Sequence, residues 1–295
     1  MATPPSITER YPPLPLGETV DLIRRFGEAD PDERDATIRR FVEVHPVLCY
    51  DWGGGWRYRR ARALQPGEEP RNVSELIWRA DMPAKLGRAN PAGFRVLYLA
   101  DRRDTALSEV RVSESHVAIT EFTVRPGRSL RVAPVGELTQ VQRTGRGFLA
   151  GNASSTINGM INACEPEEGR SMLIADAFLL DCLTNRQDDY ALSSMVALAI
   201  FEKLREVAAV AYPSRRQLGA MNFAVRVDRV WDDWGIISVR RAHARHLAMG
   251  HYALSDVRHV TGIYANGDLL WDETSDDDPD SAVQLDPAWW PEPAH

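Results

Sequence analysis

The stretch GRANPAGFRVLYLADRRDTALSEV, Gly87 to Val110, passes from a turn-rich loop into an apolar run and then into a polar stretch. Gly87, Pro91 and Gly93 punctuate the loop, and loops at strand edges are where a rigid scaffold presents functional side chains. Arg88 is its strongest ligand: a guanidinium fork suits phosphate or carboxylate, although a loop arginine taken alone more often pairs with a local acid. Phe94 to Ala100 (FRVLYLA) is rich in strand formers and reads as a β-strand. Tyr98 falls within it, and taken alone would be a packed aromatic. Asp104 offers an N-cap for a helix over Thr105 to Arg111. Glu109 stands in its second turn, where a carboxylate by itself is usually a solvated group.

The pattern extends to both sides. Trp56 to Leu64 is expected to be extended, which puts Tyr58, Arg60 and Arg62 on one face. Before it, Val20, Ile23 and Phe26, then Ile38, Phe41 and Val42, recur at helical spacing, and Asp30-Pro31 divides them into two helices. The first seventeen residues are proline-rich and not expected to pack regularly. Gly53-Gly54-Gly55 is the expected boundary between this prefix and the main domain. Downstream, Val117 to Val124 reads as a strand and Thr139 to Asn158 as a loop or insertion. Helices are expected at Met172 to Leu183 and Ala191 to Val207, and strands near Ala208 to Tyr212, Asn222 to Val227, Gly235 to Val239 and Val260 to Tyr264. The division is thus 1–55 helical extension, 56–270 catalytic domain and 271–295 acidic disordered tail, the last holding DETSDDDPD from Asp272 to Asp280.

The 295 residues carry a net charge of −7, with 44 % hydrophobic and 26 % charged residues. That balance argues against a nucleic-acid binder, and no apolar run is long enough for a membrane span. Without a secretory leader, a cytoplasmic location is expected. The three cysteines, Cys49, Cys164 and Cys182, are too scattered for a disulfide framework or zinc site and are expected as core thiols. His243, His246 and His251 lack a metal-binding pattern and are expected to be solvated, so no metal is expected.

Taken together, Arg60-Ala61-Arg62, the Gly87–Val110 block, Tyr212-Pro213-Ser214 and Asn222 resemble the RES-domain family. Its members show an early Arg, a GR-x-N-P-x-G loop, a LYLA-type strand, a T-A-x-x-E-V helix and late YxS and Asn elements, all present here in that order. The resemblance implies an α+β fold, an ADP-ribosyltransferase-like mixed β-sheet core flanked by helices, here with a helical N-terminal extension. It also implies a toxin of a toxin–antitoxin pair that consumes NAD+ as substrate, without cofactor or metal, by hydrolysis or phosphorolysis of the nicotinamide–ribose bond. The alternatives are a protein ADP-ribosyltransferase using the same site and a non-catalytic nucleotide-binding module. Carried over residue by residue, Glu109, Arg88 and Tyr98 would be catalytic, and Arg60, Arg62, Arg88, Asn90, Tyr98, Ser214 and Asn222 would bind NAD+. NAD+ is the expected partner, with inorganic phosphate, an antitoxin protein and a second copy of the chain as candidates. Many RES toxins are shorter; the prefix and the long segment between Val124 and Asp188 are additions to that pattern.

Overall fold

The computed structural model describes residues 6–78, 80–184, 190–273 and 282–291. Along the chain the first elements are helices α1 (Ile7–Arg10), α2 (Leu16–Phe26) and α3 (Pro31–Val44), then strands β1 (Tyr50–Gly53), β2 (Tyr58–Ala63) and β3 (Val96–Ala100). Helix α4 (Arg103–Glu109) and strands β4 (Glu114–Val124) and β5 (Ser129–Pro134) lead to α5 (Glu137–Thr144), α6 (Ser154–Asn162), α7 (Pro166–Thr184) and α8 (Tyr190–Lys203). The chain then forms β6 (Val207–Pro213), β7 (Met221–Arg226), α9 (Val230–Asp233), β8 (Trp234–Ala248), β9 (His251–Ile263) and β10 (Leu269–Trp271). The fold is α+β, as the sequence implies.

Two compact units divide it. One gathers Met1–Tyr50, Lys85–Phe94 and Arg131–Tyr212, and the other Asp51–Ala84, Arg95–Leu130 and Pro213–His295. The first unit is mainly helical. Asp30 caps α3 through a reciprocal box with Glu33, so the two-helix reading of the prefix holds. The proline-rich start is more regular than expected, because Ser6 and Glu9 close the same kind of box around α1. Phe178 of α7 packs against Phe26 and Phe41 of α2 and α3, with ring centroids 4.8 and 5.1 Å apart.

The segment expected to be a loop, Thr139 to Asn158, instead enters α5 and α6. Its Gly145 is a stop rather than a break: together with Gly136, which precedes the segment, it flanks α5, with φ of 74° and 82° respectively, the left-handed region that glycine enters without steric cost. Glu137, 1 % exposed, gathers the following turn by accepting backbone N–H bonds from Phe148, Leu149 and Ala150. Leu138, Val141, Ile157 and Ile161 close a local core.

The second unit is an antiparallel sheet in the order β7-β3-β2-β4-β8-β9-β10. Helix α4 covers one face, burying Ala106 and Leu107 with Ala61, Ala100, Val117, Ile119, Ala242 and Leu254. It begins two residues earlier than expected. Arg102 takes the N-cap position without a side-chain bond, while Asp104 pairs with Arg103 at 2.9 Å. Arg111, at φ 57°, follows its end, so Glu109 is the last helical residue. Strand β8 runs to Ala248 rather than stopping near Val239. Of the acidic tail, 274–281 and 292–295 lie outside the described residues. In the part that is described, Leu285 and Trp289 donate backbone bonds to Ile237 and Ile236 of β8. Cys182 is buried, whereas Cys49 and Cys164 are half-buried.

Candidate active site

The expected site residues fall in both units. Arg60, Arg62, Tyr98, Glu109, Ser214 and Asn222 belong to the sheet unit, and Arg88 and Asn90 to the helical one.

In the sheet unit the assembly starts from strand register. Ala100 faces Asn222 and Tyr98 faces Ala224 across the β3–β7 pair, so Tyr98 and Asn222 are diagonal neighbours on one face. Tyr98 is half-buried while Val96, Leu97, Leu99 and Ala100 are buried, which makes it the exposed member of its strand. Helix α4 brings Glu109 to the same place. Its Oε1 accepts one bond from the Ser214 hydroxyl and one from the Asn222 amide, each 2.7 Å. Oε2 has no hydrogen-bond partner among the described residues. One carboxylate oxygen is therefore fixed by two donors, and the other is unengaged among the described residues.

Ser214 is held in turn. Its hydroxyl oxygen accepts from the backbone N–H groups of Arg216 and Gln217 at 3.1 and 3.2 Å, which leaves its proton directed to Glu109. Gln217 accepts a hydrogen bond from the fully buried Thr105 hydroxyl. Sequence reading missed this link, although Thr105 and Glu109, four apart on one helix, share a face.

Arg60 and Arg62 project to the same side of β2, as its alternation requires. Arg60 donates to the carbonyls of Leu76 and Ile77 at 3.1 and 3.3 Å. Arg62 donates to the carbonyl of Glu75 at 3.1 Å and pairs with Glu68. Among the described residues Arg60 forms no ion pair. Burial, and then the adjacent Arg62 charge, push its guanidinium down to about 10, with Tyr98 acting in the opposite direction; it stays protonated at neutral pH. Strands β2 and β3 pair at one position, Arg59 with Ala100.

In the helical unit, Arg88 donates to the carbonyl of Leu183 at 3.1 Å and its guanidinium lies 5.3 Å from the ring centroid of Tyr190. Asn90 is 3 % exposed, and its amide nitrogen lies 2.9–3.0 Å from the carbonyls of Lys85, Pro91 and Phe94. That geometry closes the Gly87–Gly93 loop on itself. A groove of about 470 Å³ between α2 and α3 contains none of the motif residues.

The three histidines lie on the β8–β9 hairpin: His243 is 3.7 Å from Glu114, His251 is 3.8 Å from Asp104, and the His246 ring packs on Tyr252. No helix among the described residues is long and apolar enough to cross a membrane.

No curated protein matches the chain. A family model, the RES domain, matches residues 56–246 of the 295. That span is more than half of the chain and takes in Arg60, Arg88, Tyr98, Glu109, Ser214 and Asn222 alike. A domain associated with NAD+ and with toxin–antitoxin pairs is thus present, and the chain belongs to the RES-domain family.

Proposed function

We propose that the protein cleaves the nicotinamide–ribose bond of NAD+, transferring the ADP-ribosyl group to water or inorganic phosphate, as the toxin of a toxin–antitoxin pair. The observation that carries this reading is the Glu109 carboxylate, with Oε1 fixed by Ser214 and Asn222 and Oε2 unengaged among the described residues. In the reaction the C1′–N1 bond breaks and its electron pair neutralises the pyridinium, so nicotinamide leaves as a neutral molecule without needing a strong acid. The ribose passes through an oxocarbenium-like state. A carboxylate held in place before the reaction stabilises that charge without reorganising, as in glycoside hydrolysis. Water or phosphate then bonds to C1′; with water, the proton released goes to Glu109 or to solvent.

Arg60 and Arg62 are assigned to the diphosphate. Arg60 is anchored by carbonyls, which leave it a full positive charge, whereas the Glu68 carboxylate offsets part of the charge on Arg62. Tyr98 is assigned to the nicotinamide ribose; Arg88 keeps its NAD+-binding role from the motif that contains it, with Asn90 holding its loop. No metal or cofactor enters this scheme.

Purified protein incubated with NAD+ should release nicotinamide. Free ADP-ribose without phosphate, or its 1″-phosphate ester with phosphate, would identify the acceptor. Labelled protein in place of either product would instead establish an ADP-ribosyltransferase, and no nicotinamide release under any of these conditions would contradict the enzyme reading.

A further inference from the structure

The carbonyls that orient Arg60 and Arg62 come from three consecutive residues, Glu75, Leu76 and Ile77. A backbone carbonyl can aim a guanidinium only as well as its own segment is held. Leu76 and Val73 anchor that segment in the core, 1 % and 3 % exposed. The rest of its hold comes from almost two hundred residues away. The Asn72 amide donates to Asp268 Oδ1 at 2.9 Å and to the carbonyl of Asn266 at 3.1 Å. Val73 donates its backbone N–H to the carbonyl of Gly267, and Leu269 donates to that of Arg71, at 2.9 and 2.8 Å. Trp271 Nε1 donates to the carbonyl of Pro70 at 2.7 Å.

The turn fits closely. Gly267 has φ 87°, and a Cβ there would lie 3.2 Å from Asn72 Nδ2. Asn72 passes the restraint on: its Oδ1 accepts from Ser74 N–H at 2.9 Å, and its own N–H donates to Glu75 Oε1 at 3.0 Å. The family match ends at residue 246, so the β9–β10 turn grips the arginine cradle from outside the matched span.

We propose that Asn72 and the Asn266–Asp268 turn form a clamp that positions Arg60 and Arg62 for the substrate diphosphate. The proposal rests on the assignment of those arginines to NAD+. Asp268 and Asn72 touch no substrate in this account; they act through the carbonyls of residues 75–77.

The test is a cycle on the full-length protein, measuring KM for NAD+, kcat and Tm for D268A, D268N, R60A/R62A and R60A/R62A/D268A. D268A should raise KM about tenfold with kcat within about twofold, because a displaced arginine weakens ground-state and transition-state binding alike. D268N keeps an acceptor for Asn72 and should restore KM to within about twofold of wild type. In the R60A/R62A background, adding D268A should change KM by less than about twofold, since groups acting through one another are not additive. An unchanged KM in D268A, or the same tenfold loss with the arginines already removed, would overturn the clamp. Unchanged KM in R60A/R62A would instead overturn the diphosphate assignment beneath it.

Discussion

Two glutamates, one in each unit, show how differently a fold can treat the same side chain. Glu137 is 1 % exposed and has both oxygens occupied: Oε2 by Phe148 N–H, and Oε1 by Leu149 N–H, Ala150 N–H and the Tyr50 hydroxyl. Glu109 is half-buried, and two side-chain donors share one oxygen while the other is unused among the described residues. A saturated carboxylate can only hold structure. One fixed at a single oxygen has its orientation set and its charge still available, which is what electrostatic catalysis requires.

The largest expected effect follows directly. E109Q nearly preserves volume and keeps an acceptor for Ser214 and Asn222, yet should lower kcat about a thousandfold, the scale of a positioned acid–base or electrostatic group; steady-state kinetics check it. S214A and N222A each remove one donor to a charged group, about 1.5–3 kcal/mol, and should lower kcat about tenfold to a hundredfold with Tm little changed. A loss confined to KM would show that these residues bind rather than orient the carboxylate.

The contrast reverses at Glu137. E137Q puts an amide among three backbone donors and should lower stability by about 2 kcal/mol, measured by urea denaturation, with kcat for the folded protein within about twofold. A smaller effect is expected at Asp101, whose carboxyl pKa is raised by burial and whose buried Oδ1 has no hydrogen-bond partner among the described residues. Its protonated form is favoured in the fold, so its contribution is full below the unfolded pKa and is lost as pH rises through the folded one. D101N avoids that loss and should gain less than about 1 kcal/mol at pH 7, a gain that disappears toward pH 4 when Tm is followed against pH.

The residues proposed to carry the chemistry lie close in sequence, so the elements that hold them were legible, while their roles came from the family resemblance. Tyr98 and Glu109 lie eleven residues apart on a strand and the helix after it, and β2 alternation places Arg60 with Arg62. What joins them to the rest is long-range. Ser214 and Asn222 reach Glu109 across 105 and 113 residues, and their convergence was implied by family resemblance alone. The Asn72–Asp268 contact spans 196 residues and leaves no local trace.

Strand limits failed where charge is buried. Glu121 of β4 and Arg240 of β8, 3 % and 4 % exposed, stand 3.7 Å apart, and Arg240-Arg241 breaks the apolar alternation that marks a half-buried strand. The end of β8 was therefore placed too early. The loop expected over Thr139 to Asn158 failed for the opposite reason. Gly145, one of its glycines, closes a helix whose first residue is a buried, fully bonded glutamate, so glycine marks a helix end there rather than an irregular stretch.

The most direct test of the central claim is nicotinamide release from NAD+ by wild type, E109Q and E137Q, compared at equal concentrations of folded protein. Wild type and E137Q should release nicotinamide at similar rates, and E109Q about a thousandfold more slowly. Release by E109Q at the wild-type rate would contradict that claim, because the carboxylate held by Ser214 and Asn222 would then have no part in breaking the bond.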